Sequence, residues 1–397
     1  MKIVVNTSTF KQDGVDTSPN FINNLITNMN TASTFYILYP RKKEKVKSRK
    51  MEKNIYLYPY SYLIPRKFCN LSKYGLYPSI QKNKLNILSI FLMIFFQLIS
   101  LIKICLQKKP DFIYSHWVFP QAFISALVGK VMGIKVVFTS HGSDVKILKK
   151  MGSVGNFIIN FTVKNSHRFT SVSKKNLELL KSSIPKNYIP ENKIIPMGVD
   201  NIFFQKKLTE KKLSENINIL YFGRIVEYKG IDLLINAVSR IISLEHKKIK
   251  LLIIGSGIEL NNIKNQSYLL GLNNHIEFID FVNQNDLIQY IDQSDFVVVP
   301  SKITKTEFEA GPLTLIESMA RQKICIVSDS VGFIEYLNKE NSLVFRSNDV
   351  DHLCEVILKA IETPDEDKNN ICLNAKNLSL QFKYSSISKN TEDFIFN

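Results

Sequence analysis

"NILYFGRIVEYKG", residues 218–230, runs an apolar stretch into a glycine, an arginine, a lysine and a second glycine. Such a run reads as a buried strand emptying into a loop, with a helix to follow over 231–244. The pattern then repeats in "KLLIIGSGIEL" (250–260), "IEFIDFV" (276–282), "DFVVVPS" (295–301) and "KICIVSD" (323–329). Helical stretches are expected at 258–270, 285–293, 312–321 and 350–362. Short β-branched strands alternating with helices are the βαβ signature of a parallel sheet covered on both faces.

The first half carries a series of its own. "MKIVVNTSTF" (1–10) reads as a first strand, since it lacks the longer apolar segment and small-residue cleavage site of a signal peptide. "DFIYSHWVFP" (111–120) reads as a strand ending near Ser115, and "IKVVFTSHGSD" (134–144) as another emptying into a loop. A chain of 397 residues exceeds what one core usually fills, so two α/β domains are expected. The seam is placed near 194–217, whose tail is charged and loop-like. Charge divides at the same place. Residues 1–200 hold 30 Lys and Arg against 9 Asp and Glu, whereas 201–397 hold 22 against 26. A basic half attracts an anionic partner, unless the lysines reflect compositional drift. Five scattered cysteines without a CxxC argue against a disulfide framework or structural zinc.

Two segments of the first half stand out. "RKKEKVKSRK" (41–50) is either a solvated face or an anion-binding patch. "LNILSIFLMIFFQLISLI" (85–102) is uncharged, flanked by lysines and at the lower limit for a membrane span. Its polar residues and its place inside a βαβ series favour a core helix or a helix that also touches membrane.

Chemistry gathers at strand ends, where open α/β sheets bind ligands. Gly223 permits close backbone approach, and Arg224 and Lys229 can converge on one phosphate pair; an ordinary basic loop is the competing reading. The G-x-G of "IIGSGIEL" is too short for a dinucleotide fingerprint, and no P-loop is present. "TKTEFEAGPLTLIESMA" (304–320) is the exit loop of a strand followed by a helix with Pro312 in its first turn. The amides of Leu313, Thr314 and Leu315 then form an anion site for a diphosphate. Carboxylates suit sugar hydroxyls instead, which places Glu309 and Glu317 at the sugar-facing ends of such a site.

Taken in order, these motifs resemble family 4 of the retaining glycosyltransferases. The glutamate, glycine and second glutamate appear as Glu309, Gly311 and Glu317, and the basic pair as "FGRIVEYKG". "MGVDNIFF", with Met197 for a usual asparagine, resembles the family's link. "SVGFIEYL", with Gly332 and Glu335, resembles its later loop, and "FKYSSISKNTEDFI", with Tyr384 for a common tryptophan, its closing helix. The resemblance implies the GT-B fold, two Rossmann-like domains facing across a cleft. It implies an acceptor-side domain over 1–200, a nucleotide-sugar domain over 201–375, and a closing helix over 376–397 that returns to the first domain.

The resemblance further implies catalytic roles for His141, Glu309, Arg224 and Lys229. Donor contacts are expected from Gly14, His116, Gly223, Arg224, Lys229, Gly311, Leu313, Thr314, Leu315 and Glu317, with Glu309 near the transferred sugar and Glu317 on the ribose. The first loop, "TFKQDGVDTSP", supplies only Gly14 where the family usually has two glycines. The implied reaction is retaining transfer from a UDP- or GDP-sugar to a surface glycan or lipid-linked acceptor, of hexosyl or N-acetylhexosaminyl type. Two cations and a helix start stabilise the leaving diphosphate, so no metal or other cofactor is expected. A catalytically silent scaffold of a membrane glycan-assembly complex and a sugar-nucleotide epimerase are the alternatives. Nucleic acid is not an expected partner, because no reading motif accompanies the basic run. The expected location is the cytoplasm, at the inner face of the cell membrane, with contact to anionic lipid through the basic half and 85–102.

Overall fold

The computed structural model describes residues 1–10, 21–29, 32–41, 49–51, 54–63, 86–185, 188–209, 215–245, 248–304 and 308–397. Gly14 and most of the basic run at 41–50 lie outside them. The chain forms two units, Met1–Pro196 with Ser388–Asn397, and Met197–Ile387. Each is a Rossmann-like α/β unit built on a parallel sheet.

The first unit carries β1 (Lys2–Asn6), β2 (Thr34–Pro40), β3 (Arg49–Lys50), β4 (Ile55–Tyr60), β5 (Phe112–His116), β6 (Lys135–Ser140), β7 (Arg168–Ser171) and β8 (Glu191–Ile194). Their order in the sheet is β3-β4-β2-β1-β5-β6-β7-β8, and only the β3–β4 pair is antiparallel. Its helices are α1 (Phe21–Thr27), α2 (Asn86–Lys108), α3 (Phe123–Met132), α4 (Ser143–Lys150), α5 (Gly152–Lys164) and α6 (Lys174–Lys181). The inner strands are buried on both faces, which is why they read as unbroken apolar runs. Helix α2 continues six residues beyond the apolar stretch that announced it, ending at Lys108. Leu85, the first residue of that stretch, lies outside the described residues.

The second unit carries β9 (Ile217–Phe222), β10 (Ile249–Ile254), β11 (Ile276–Ile279), β12 (Phe296–Val299), β13 (Ile324–Ser328) and β14 (Leu343–Phe345), in the order β11-β10-β9-β12-β13-β14. Its helices are α7 (Ile202–Gln205), α8 (Ile231–Glu245), α9 (Leu260–Leu269), α10 (Gln284–Gln293), α11 (Leu313–Ala320), α12 (Val350–Glu362) and α13 (Asp365–Ser379). The strands and α8 share one apolar core, with Leu234, Ile253 and Ile326 fully buried. Asn283 and Asp349 cap α10 and α12 by accepting amide hydrogens from Asp286 and His352.

The segment entering this unit is held by a buried cation. Arg321 grips Asp292 through two hydrogen bonds of 2.9 and 2.6 Å and donates to the carbonyls of Phe203, Lys206 and Lys207. Helix α14 (Tyr384–Phe396) closes the chain. Its second half belongs to the first unit: Ser388 donates to the Leu25 carbonyl, Arg168 donates to the Phe394 carbonyl, and Phe396 packs on Phe112 and Tyr114.

Candidate functional site

In the second sheet the connection order reverses between β9 and β12, and the candidate residues stand at that reversal. The turn after β9 is pressed onto the exit of β12. Gly230 has φ +68°, and a Cβ there would lie 2.0 Å from the Pro300 carbonyl oxygen, so only glycine fits. The Lys302 amide donates to the Tyr228 carbonyl at 2.9 Å, and the Lys302 ammonium pairs with Asp232 at 2.8 Å.

This packing brings Lys229 to Glu309, and their side chains form an ion pair that is mostly sheltered from water. Arg224 is exposed at the same turn and donates to the Tyr228 hydroxyl. The loop after β13 braces the glutamate from behind, because the Gly332 amide donates to the Glu309 carbonyl at 2.7 Å.

Gly223 has φ +141° and lies against the first turn of α11, where its Cβ would stand 3.7 Å from Thr314 Cγ2. Pro312 precedes that helix without a side-chain cap. The three amides expected to be open are not equivalent: Leu315 donates to the Pro312 carbonyl at 3.2 Å, as the tight first turn draws that carbonyl within reach. Leu313 and Thr314 have no backbone acceptor among the described residues. Gly311 is unlike the other glycines of the site. A Cβ there meets nothing within 4 Å and its φ is ordinary, so the protein's own packing does not demand glycine.

Glu317 sits one turn along α11. Burial of its carboxyl, reinforced by the Asp200 carboxylate, pushes it from its ordinary 4.5 up to about 7. Tyr384 completes this corner, its hydroxyl held well above the usual range by burial, Asp200 and Glu317. Gly198 makes room for that ring, since a Cβ would stand 2.6 Å from Tyr384 Cδ1. The G-x-G after β10 has a packing role too. Cβ atoms on Gly255 and Gly257 would meet the carbonyls of Gly223 and Ile225 at 1.9 Å.

The first unit gathers its candidates where β5 and β6 end. His116 Nδ1 and His141 Nε2 lie 3.1 Å apart. Burial and the neighbouring imidazole hold His116 far below its ordinary value, and burial lowers His141 to about 3. Both rings are therefore neutral, and one hydrogen serves the bond between them. His116 was expected to touch the donor. The structure places it in full burial at the end of a central strand, stacked on His141 and tilted against Tyr114.

Three residues that the motif reading passed over hold His141 in place. Trp117 and Phe21 bring their rings to 4.9 and 5.2 Å from the imidazole. Asp144, buried at the start of α4, accepts the amides of Val118 at 2.5 Å and Gly142 at 3.0 Å, tying the two histidine loops together. The "GSD" preceding a helix was the available signal for Asp144, because an acid in a first turn commonly bonds backbone amides.

Comparison with known proteins covers both halves of the chain. The family model described as Glycosyltransferase Family 4 matches residues 70–201, and that of glycosyl transferases group 1 matches 202–378. An uncharacterised glycosyltransferase of Methanocaldococcus jannaschii is 28% identical over 275 residues, which is 69% of this chain and 72% of that one. The N-acetyl-alpha-D-glucosaminyl L-malate synthase of Bacillus anthracis is 25% identical over 63% of this chain and 62% of its own length. Among solved structures, sucrose-phosphate synthase from Thermosynechococcus elongatus superposes with a TM-score of 0.71 at 14% identity, covering 98% of this chain and 96% of that one. Anabaena HepE in complex with UDP gives 0.70 at 14% identity, covering 99% of each. At those identities the likeness speaks for the fold.

Proposed function

We infer that this chain, which belongs to the GT-B-fold glycosyltransferases and moves a sugar from a nucleotide-sugar to an acceptor, is a retaining enzyme. The observation carrying the reading is the Lys229–Glu309 pair at the strand reversal, beside Arg224, the open side of Gly311 and the start of α11. When the diphosphate arrives, Lys229 exchanges Glu309 for phosphate, and the freed carboxylate accepts hydrogen bonds from the sugar hydroxyls. Arg224 grips the same diphosphate as a planar fork, and the Leu313 and Thr314 amides add a positive dipole end. Glu317 receives the ribose hydroxyls.

In the transfer step the bond from C1 of the sugar to the phosphate oxygen breaks. The acceptor oxygen bonds to C1 from the same face, and its proton passes to the departing phosphate oxygen. Charge grows on the diphosphate, and the two cations stabilise it where it forms. His141, neutral and caged by rings, is the hydrogen-bonding group that the first unit offers a ligand, without a charge that would compete with a phosphate. His116 orients it. The donor is a UDP- or GDP-sugar of the hexose or N-acetylhexosamine class, and the acceptor a surface glycan or its lipid-linked precursor. Relatives named for teichuronic acid and capsular polysaccharide biosynthesis support that acceptor class.

A thermal-shift screen against UDP, GDP and ADP and their sugars tests the donor, and the anomeric configuration of the product by NMR tests retention. Glu309→Gln is expected to fold normally and to lose transfer by about a hundredfold or more, as for removal of one group that acts in the transition state. Full turnover in a folded Glu309→Gln protein would sink the assignment.

A further inference from the structure

Helix α2 turns two unlike faces outward and inward. Its inner face packs on β1, β2, β4 and α3, with Met93, Leu101 and Ile104 buried. At the centre of that face Gln97 donates to Asn6 Oδ1 at 2.7 Å, and Asn6 passes the network to Ser125 and to the Gln121 carbonyl. The outer face is a stripe of Leu88, Phe91, Phe95, Ile99, Ile102 and Leu106, spaced three or four residues apart along the whole helix. Leu88, Phe91 and Leu106 are 67%, 65% and 63% exposed. An exposed apolar stripe that runs along a helix of 23 residues is the kind of patch that marks an interaction site.

The neighbouring helices extend the same character. Helix α3, packed between α2 and α5, exposes 86% of Val131, and α5 exposes 62% of Phe157. Between α3 and α5 lies a groove of about 730 Å³ in which Lys130 and Lys164 stand among Phe157, Phe161, Asn160 and Tyr188. Lys103 and Lys108 lie on α2 itself. None of the three helices carries an acidic residue.

We propose that this face docks on the surface of an anionic lipid bilayer, with α2 lying in the membrane plane. The apolar stripe enters the acyl boundary, the lysines stay at head-group level, and the groove receives a lipid phosphate. By length and composition α2 could cross a membrane. Crossing would tear Gln97 from Asn6 and strip the apolar cover from β1, β2 and β4, whereas lying flat keeps every inner contact. A second copy of the chain fits the face poorly, because symmetric pairing sets lysines on lysines with no acid on these helices to meet them.

Flotation of the full chain with vesicles tests the proposal. Vesicles of phosphatidylcholine with phosphatidylglycerol are compared with pure phosphatidylcholine. The protein is expected to float with the anionic vesicles at least tenfold more than with the neutral ones, and to be released by alkaline carbonate. Phe91→Glu with Phe95→Glu should abolish flotation while leaving the melting temperature intact, since both side chains already face water. Lys130→Glu with Lys164→Glu should reduce binding to the anionic vesicles alone. Either variant should keep the thermal shift given by whichever nucleotide stabilises the parent protein, which separates a failure here from a failure of the donor-site reading. Absence of flotation overturns the proposal, as does equal binding to neutral vesicles. Resistance to carbonate overturns the in-plane placement. A dimer in light scattering that Phe91→Glu with Phe95→Glu dissolves, without lipid binding, assigns the face to a second copy.

Discussion

The two strand-end sites solve opposite problems with the same sheet topology. In the second unit the residues at the reversal carry charge, with Lys229 paired to Glu309 and Arg224 resting on the neutral Tyr228 hydroxyl. In the first unit the polar residues are neutral and sheltered, with His116 on His141 under Trp117 and Phe21. A sheltered ion pair costs much to break into nothing, but an incoming anion can take over the lysine as the carboxylate finds hydroxyls, so the exchange leaves neither charge alone. A buried neutral pair cannot be charged without a large desolvation penalty, so it holds one tautomer and one orientation. On the proposed reading, the second unit exchanges partners for a ligand and the first keeps a fixed uncharged pair.

The sharpest way to break this contrast is to remove the charge. Arg224→Ala with Lys229→Ala should lower transfer by about a thousandfold while the unit stays folded, as loss of donors aimed at developing charge does elsewhere. Steady-state rates with circular dichroism as a folding control decide it. A loss confined to KM would mean that the cations serve only ground-state binding.

The neutral pair should give smaller and graded effects. His141→Ala is expected to lower kcat by about a hundredfold, and His116→Asn by about tenfold with KM nearly unchanged, since His116 acts only by orienting its neighbour. Nitrogen-15 shifts of His141 in His116→Asn should report mixed tautomers where the parent reports one. An unchanged tautomer with an unchanged kcat would reduce His116 to packing.

The smallest effect concerns Glu317, a group raised to about 7 beside Asp200 and Tyr384. An ionised carboxylate accepts the ribose hydroxyls more strongly than a protonated one, so nucleotide affinity should rise by up to about five- to tenfold from pH 6 to pH 8. Glu317→Gln should flatten that rise in calorimetric titrations. The linkage to stability has the opposite sign. A folded value above the unfolded one favours the protonated native state, so Glu317 contributes stability below pH 4.5 that is lost as pH rises through 7.

Much of the second unit was legible because its central parallel strands are largely apolar runs, two of which, β9 and β10, lead straight into glycine. The helices at 231–244, 285–293 and 350–362 read within about two residues of their observed bounds. The edge strands β8 and β14 escaped notice for the converse reason, although the inner strands β2, β4 and β7 went unread as well. β8 is "ENKI", half exposed, and β14 spans three residues, so neither has the apolar density that announces a central strand. Sequence spacing brought Arg224 and Lys229 together but could not place Glu309 on Lys229, because that contact depends on Gly230 admitting the Pro300 carbonyl from another strand. The burial of His116 was equally hidden. A histidine at a strand end looks alike whether it faces a ligand or a second imidazole. The two glycines of "IIGSGIEL" earn their place through the neighbouring loop's carbonyls, which no local motif could have disclosed.

The end of α14 bears on the order in which the protein can mature. Ile395 and Phe396 are buried in the first unit, where Phe396 covers Phe112 and Tyr114. Ribosomal synthesis delivers those residues only after the whole of Met197–Ile387 has been made. The unit that begins first is thus completed last, and its central strands wait, partly uncovered, while the other unit is translated and collapses. Severing the chain at Pro196 would make that waiting state permanent.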